Sequence, residues 1–314
     1  MKYRHIIFSL AATLLAGCEF LDVVPAKEPD FGDALKNKEQ VENWIYGRGY
    51  HEIQWQQPFV YFSLEQTTDD FILPNLMMQN KETPYKYDQY YIARGQMTSV
   101  NTTNRWWALY GAIGYINLFE QQLGLHKPAF LTDADKRLYL AHAKFLKAYY
   151  SLVLLQGYGP IAIVEKYVDA DTPKSEFPGR SHFDYCVEYI SRLFREAAEG
   201  GLPESNYTAT STYSTGNQVI CAALESRLRL LAASPLWNGE FPFPNWKNTN
   251  FETPGYGQEL VSRTFDLEKW RKAKTAAENA IRIAESHGRK LMTIEDMEQM
   301  AANQNISTSE AAYW

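Results

Sequence analysis

Long helical patterns with clear stops most constrain what this chain can fold into. Apolar residues recur at helical spacing over five segments: 104–123, 132–156, 181–199, 217–233 and about 267–286. Helix-capping residues open three of them, Asn104, Thr132 and Ser181, and glycine or proline follows several, as Gly124 does. The first four segments form two pairs with short breaks, which indicates antiparallel hairpins. The sequence therefore predicts a mostly all-α fold.

Small and bulky residues alternate along these helices, as in Ala141, Phe145, Ala148 and Tyr149. That alternation lets tetratricopeptide-like hairpins stack on one another. Two stretches, about 51–100 and 235–265, are rich in proline, glycine and aromatic residues and lack a regular period. The expected architecture is a set of tetratricopeptide-like helical hairpins with long irregular, aromatic-rich insertions.

Weaker patterns predict three shorter elements. A helix is expected from Asp33 with an interruption at Gly47 and Gly49, and residues 161–164 are typical of a short strand. Residues 293–302 have a helical pattern.

The N-terminal residues predict export and a lipid anchor. Lys2 and Arg4 precede an apolar run, which ends in Leu15-Ala16-Gly17-Cys18. A basic start, an apolar run and small residues form a secretory signal, and a cysteine directly after them is typical of a bacterial lipoprotein. The alternatives are an ordinary signal peptide with a chance cysteine, or a buried first helix. The predicted organisation is a signal peptide over 1–17, lipidation at Cys18, an extended tether over 18–33 and a helical domain over 34–314.

The charge of the chain argues against one class of partner, and the position of its cysteines predicts their role. The precursor has a net charge of −6, and loss of the signal peptide removes two basic residues and leaves −8. No cluster of Lys and Arg is present, which argues against a nucleic-acid partner. Cys186 and Cys221 lie on apolar helix faces, so they are expected to be buried hydrophobic residues, with pairing between them as the alternative.

Motifs for catalysis, metal binding and cofactor binding are missing from the sequence. The histidines lack zinc-ligand spacing, and neither a nucleophile elbow nor a phosphate-binding glycine loop occurs. The adjacent acids Asp69-Asp70 and Glu295-Asp296 are sequence neighbours rather than a facing pair, and glycoside hydrolysis requires two converging carboxyl groups. Asp69-Asp70 offer carboxylate oxygens to a cation, but further oxygen ligands at calcium-loop spacing are missing. The sequence predicts a non-enzyme with no metal and no cofactor.

Four segments resemble the SusD/RagB-type lipoproteins of gut and oral Bacteroidetes. They are Cys18-Glu-Phe-Leu-Asp-Val-Val-Pro25, the stretch 143–164 with its turn Tyr158-Gly159-Pro160, the stretch 222–239 ending in Ser-Pro-Leu-Trp-Asn-Gly, and the helix 270–281. Family members usually have a second glycine before the proline of that turn, and they are usually much longer than this chain. The resemblance therefore implies that 34–314 lacks the C-terminal part of a SusD-like domain.

The resemblance implies a lipid-anchored protein on the outer face of the outer membrane. Such proteins have four tetratricopeptide-like hairpins, cover SusC-like TonB-dependent transporters and pass oligosaccharides to them without catalysis. A RagB-type peptide binder is the alternative, and a helical-repeat interaction protein without its own ligand site also stays open.

Ligand contacts are expected in the two irregular segments, because sugar faces stack on aromatic rings and planar polar groups bind hydroxyls. The candidates are Tyr87, Asp88, Tyr90, Tyr91 and Arg94 in the first segment, and Asn245, Trp246 and Tyr256 in the second. Each of them has packing on its own scaffold as the alternative. Trp106 and Trp107 are expected to pack in the core, and Trp237 is expected to be structural.

Overall fold

Seven α-helices form the described part of the chain, which in this computed structural model comprises residues 31–56, 95, 98, 105–205 and 215–302. We number the helices in chain order: α1 Lys38–Glu42, α2 Arg105–His126, α3 Asp133–Tyr158, α4 Phe183–Glu199, α5 Gln218–Ala233, α6 Leu267–Ser286 and α7 Ile294–Ala301. Extended pairing in these ranges is limited to two isolated bridges, Ala162 with Arg180 and Lys247 with Glu259. The predicted all-α fold class is confirmed.

Consecutive long helices pack on one another in the order α2, α3, α4, α5, α6. The loop between α2 and α3 is short, so these two helices form a hairpin, as their sequence patterns predict. A continuous core of apolar side chains fills the space between the helices, with Phe119, Tyr150 and Phe194 among its largest fully buried members.

The segment that follows α1 continues as a π-helix, Asn43–Gly49. Trp44 and Ile45 lie in the core, and the Tyr150 hydroxyl donates a 2.5 Å hydrogen bond to the Gly49 carbonyl. The predicted helix is therefore present. The expected break at Gly47 is wrong because the π-helix continues through that residue to Gly49.

Local capping chemistry explains where the helices begin and end. Thr132 caps α3 through a reciprocal pair of hydrogen bonds with Asp135, as predicted, and Asn217, the first residue of the predicted segment 217–233, caps α5. Two expected boundaries are wrong. Helix α2 passes Gly124 and ends at His126, because no neighbouring atom crowds Gly124 and Pro128 follows only later. Helix α4 is capped by His182, whose Nδ1 accepts from Asp184, whereas the Ser181 N–H donates to Ile161.

The predictions for the cysteines and for Trp237 are confirmed, whereas those for residues 161–164 and for Trp107 are wrong. Cys186 and Cys221 are buried and unpaired, and Trp237 is buried, as expected. Residues 161–164 make only the isolated bridge at Ala162, so the predicted strand is absent there. Trp107 is 74% exposed and not in the core, because Leu109 and Ile113 define the buried face of α2 and Trp107 lies off that face.

No helix among residues 31–56, 105–205 and 215–302 has both the length and the apolar character that a membrane span requires.

Candidate ligand-binding cleft

An open cleft of about 300 Å³ lies where the start of α2 meets two irregular segments. Its walls are formed by Trp106, Ala162, residues 178–180, residues 246–250, Thr253 and Leu260. The cleft thus combines aromatic rings, hydroxyl and amide groups and two cationic side chains.

Arg180 is one of the residues that form the cleft wall. The bridge between Ala162 and Arg180 holds its backbone, and its Nη1 donates to the carbonyls of Tyr158, at 3.2 Å, and Pro160. These carbonyls belong to the turn that ends α3, where cationic side chains are favoured. The guanidinium is therefore fixed in position by the turn that closes the helix.

Two tryptophan rings flank this guanidinium. The Arg180 Cζ lies 4.7 Å from the ring centroid of Trp106 and 5.9 Å from that of Trp246, which are cation–π distances. Trp106 also packs against Tyr110 and Tyr158, at 4.7 and 5.3 Å between ring centroids. The Tyr158 hydroxyl accepts hydrogen bonds from the backbone N–H groups of Arg105 and Trp106, which satisfies two of the free donors that begin α2.

Trp246 is the last ring of a stacked aromatic column. Phe183 and Trp237 are 4.1 Å apart and nearly parallel, Trp237 and Phe241 are 5.4 Å apart, and Phe241 and Trp246 are 5.5 Å apart with an interplanar angle of 11°. One face of Trp246 is thus packed on Phe241, and the ring is only partly buried because it also forms part of the cleft wall. A ring held in this way is a pre-organised stacking surface.

Backbone hydrogen bonds close the loop that carries Trp246. The Leu260 N–H donates to the Trp246 carbonyl at 3.0 Å, and the Asn248 N–H donates to the Gln258 carbonyl at 3.0 Å. The buried side chain of Asn248 also donates to the Pro254 carbonyl and accepts from the Asn250 N–H. Asn248 therefore has a structural role in this loop.

The predicted site residues fall into three groups. Trp246 forms part of the cleft wall. Asn245 and Tyr256 are exposed and stand outside the lining, Asn245 with a positive φ of 60° at a turn. Tyr87, Asp88, Tyr90, Tyr91 and Arg94, as well as Cys18, lie outside the described residues and stay predictions.

Sequence reasoning missed the contributions of Arg180 and Trp106. Arg180 follows Pro178 and Gly179 in an irregular segment that has no periodic signal, and its partners are 74 and 66 positions away in the sequence. Trp106 stands at the start of a helix, where the pattern predicts packing; it packs on its neighbours and also contributes to the cleft wall.

A second groove, between α4, α5 and α6, is filled with paired charges. The buried Arg229 donates to both carboxylate oxygens of Glu188 at 2.7 and 2.9 Å, and Lys272 donates to Glu188 at 2.8 Å. The hydrogen bond from Arg229 lowers the pKa of Glu188 to about 2. The Arg195 Nη1 lies 3.2 Å from the Glu225 Oε1, which also accepts a hydrogen bond from the Ser191 hydroxyl. Because these groups satisfy one another, this groove holds the helices together and is a poorer ligand site than the cleft.

Comparison with known proteins gives three informative structural likenesses. No protein-family model matches the sequence, and no curated protein matches it significantly. A solved structure named BT4246 is 37% identical over 86% of this chain and 44% of its own chain, with a TM-score of 0.73. A laminarin-binding SusD-like protein is 12% identical over 68% of this chain and 45% of its own, with a TM-score of 0.52. A SusD superfamily protein from Parabacteroides distasonis is 14% identical over 78% of this chain and 45% of its own, also with a TM-score of 0.52.

The chain therefore shares the fold of these two SusD-like structures. The chain spans less than half the length of each of these three solved chains.

Proposed function

We propose that this chain, a SusD-like protein by its fold, binds oligosaccharides in the cleft between Trp106, Arg180 and Trp246 without chemically changing them. The observation that carries the proposal is the pair of tryptophan rings, held in place by packing, that both lie within cation–π distance of a guanidinium fixed by backbone carbonyls. Sugar rings present C–H faces that stack on aromatic rings and hydroxyls that accept from guanidinium groups. The laminarin-binding protein with a similar fold supports the same class of ligand.

Trp246→Ala is expected to weaken oligosaccharide binding about tenfold, because a well-packed tryptophan at a binding surface commonly contributes more than about 1 kcal/mol. Titration calorimetry with oligosaccharides selected on a glycan array measures the change. Trp107→Ala is the matched control, since Trp107 is exposed and stands outside the cleft lining. Equal affinities for wild type and Trp246→Ala would exclude this cleft as the site.

The same titrations separate the alternatives. Binding of short peptides and of no glycan would replace the proposal by a peptide binder of RagB type. Absence of binding to both would leave a helical-repeat interaction protein. Turnover of an oligosaccharide by the purified chain would contradict the non-catalytic role.

We further propose that Cys18 carries a lipid that anchors the chain at the outer membrane, facing the cell exterior. Cys18→Ala is then expected to move the protein from the membrane fraction to the soluble fraction, since a protein held by acyl chains loses its attachment without them. Immunoblotting of detergent and aqueous phases measures the distribution. Cys221→Ala, a change at a buried cysteine, is the matched control and should leave the protein with the membrane. Retention of Cys18→Ala in the detergent phase would contradict the anchor.

The proposed partner is a SusC-like TonB-dependent transporter, which would take up the captured oligosaccharide. The SusD-like fold supports this assignment, and an anchor would keep the chain beside an outer-membrane partner. The check is co-elution of the full-length lipoprotein with a SusC-like transporter encoded by a neighbouring gene. Separate elution of the two proteins would contradict the partnership.

A further inference from the structure

The charges in the cleft differ in sign from those of the protein as a whole. The chain has a net charge of −6, yet the described residues that line the cleft include Arg180 and Lys247 and no Asp or Glu. Glu259, whose backbone bridges that of Lys247, stands outside this lining. A cleft that is locally cationic on an acidic protein raises the local concentration of anions.

The hydrogen bonds of Arg180 leave part of its guanidinium available. Nη1 donates to the turn carbonyls, while Nε and Nη2 have no acceptor among the residues that the structure describes. A guanidinium stacked on Trp106 keeps its N–H groups directed outward in the plane, which suits two parallel hydrogen bonds to a carboxylate or sulfate. The Lys247 side chain is exposed and forms part of the same cleft lining.

We infer that the cleft prefers acidic oligosaccharides, whose carboxylate or sulfate oxygens bind between Arg180 and Lys247 while the sugar rings stack on Trp246. This inference rests on the proposed function and names its ligand class. A neutral glycan would engage the aromatic rings but leave both cations without an anionic partner.

Two matched probe pairs test the inference. Trigalacturonate and its methyl ester differ in the carboxylate charge, and sulfated and unsulfated N-acetyllactosamine differ in the sulfate. The acidic member of at least one pair is expected to bind about tenfold more tightly at low salt, and the preference should shrink between about 50 and about 500 mM NaCl because salt screens charges. The pair that shows the preference identifies the anionic group.

Substitutions test whether the preference for the acidic probe depends on residues of the cleft. Lys247→Gln should weaken binding of the acidic probe about threefold and binding of the neutral probe by less, since an exposed charge pair contributes only modestly. Lys174→Gln removes the same charge from an exposed site outside the lining and should have no effect. Arg180→Lys keeps the charge but loses the planar pair of donors, so it should weaken the acidic probe more than the neutral one.

The outcomes distinguish the inference from the proposed function. Equal binding of acidic and neutral probes, with both weakened by Trp246→Ala, overturns the acidic preference and leaves oligosaccharide binding in place. An acidic preference unchanged by both Lys247→Gln and Arg180→Lys also overturns the inference. Absence of binding to all four probes and to the whole glycan array overturns both.

Discussion

Gly159→Ala is expected to lower the free energy of unfolding by about 2–4 kcal/mol, from backbone strain and overpacking together. Gly159 ends α3 with a φ of 68° and a ψ of −140°, a conformation that residues with a side chain rarely adopt. An added Cβ would lie 2.9 Å from a Trp237 ring carbon and 3.2 Å from a Trp246 ring carbon. The two effects add because relief of the clash by moving the turn would break the hydrogen bond from the Gly159 N–H to the Leu155 carbonyl.

Gly157→Ala is the matched control for this substitution. Gly157 lies within the last turn of α3, and no neighbouring heavy atom lies within 4 Å of the position of an added Cβ. Alanine there should be neutral or stabilise the protein by up to about 1 kcal/mol, because it favours helix more than glycine does. Urea unfolding followed by circular dichroism measures both variants. If the urea concentration at the unfolding midpoint is the same for Gly159→Ala and wild type, the turn and the two tryptophans tolerate a side chain at position 159.

Gly159 also connects the fold to the cleft. It lies beside both tryptophans of the aromatic column, so that an added Cβ would contact their rings, and the carbonyls on either side of it hold Arg180. Displacement of Trp246 should therefore weaken ligand binding in whatever fraction of Gly159→Ala remains folded. The turn that ends one helix thus positions two walls of the proposed site.

The helices were predictable from the sequence because the residues that determine where a helix begins stand next to it in the sequence. Thr132 and Asn217 have capping side chains directly before apolar runs with helical spacing, and the structure begins α3 and α5 at the next residues. The predicted start of a helix was wrong where a contact with a distant segment determines which residue caps the helix. His182 replaces Ser181 as the cap of α4 because the Ser181 N–H is engaged by Ile161 across the chain.

The cleft was predictable only in part. Trp246 stands out in the sequence as an aromatic residue in an irregular segment, and the structure places it in the cleft wall. Arg180 lacks such a signal, because its role depends on rings and carbonyls that three separate segments supply. Asn245 and Tyr256 have residue chemistry that also suits a sugar site, but both are exposed and stand outside the cleft lining, which their residue types alone do not indicate.

A buried histidine links the stability of the fold to pH. His142 is 2% exposed, and its Nδ1 lies 2.7 Å from the Tyr50 hydroxyl oxygen. That oxygen also accepts from the Gly216 N–H at 2.9 Å, and the hydroxyl hydrogen can be donated to the Nδ1 of a neutral imidazole. The ring of Tyr46 packs on the other side, 5.0 Å away between ring centroids. The site therefore favours the uncharged ring.

Loss of hydration lowers the pKa of His142 to about 4 from its ordinary value of 6.5. The unfolded chain binds a proton at this residue below about pH 6.5, whereas the folded chain does so only below about pH 4. The contribution of neutral His142 is therefore complete above pH 6.5 and declines as the pH falls from about 6.5 to about 4. The total loss is about 3 kcal/mol for a shift of this size.

His142→Asn is expected to flatten this decline, because the Asn Oδ1 can accept the Tyr50 hydrogen bond but the amide takes up no proton. The variant should be less stable than wild type at pH 7.5, as a smaller side chain leaves part of the core unfilled, and the difference should shrink or reverse by pH 4.5. His126→Asn, at the exposed end of α2, should keep the wild-type slope and controls for general effects of histidine removal. Urea titrations at several pH values give the two curves. If the curves for wild type and His142→Asn run parallel from pH 7.5 to 4.5, His142 takes up its proton equally well in the folded and unfolded chain, and the contact with Tyr50 does not depend on a neutral ring.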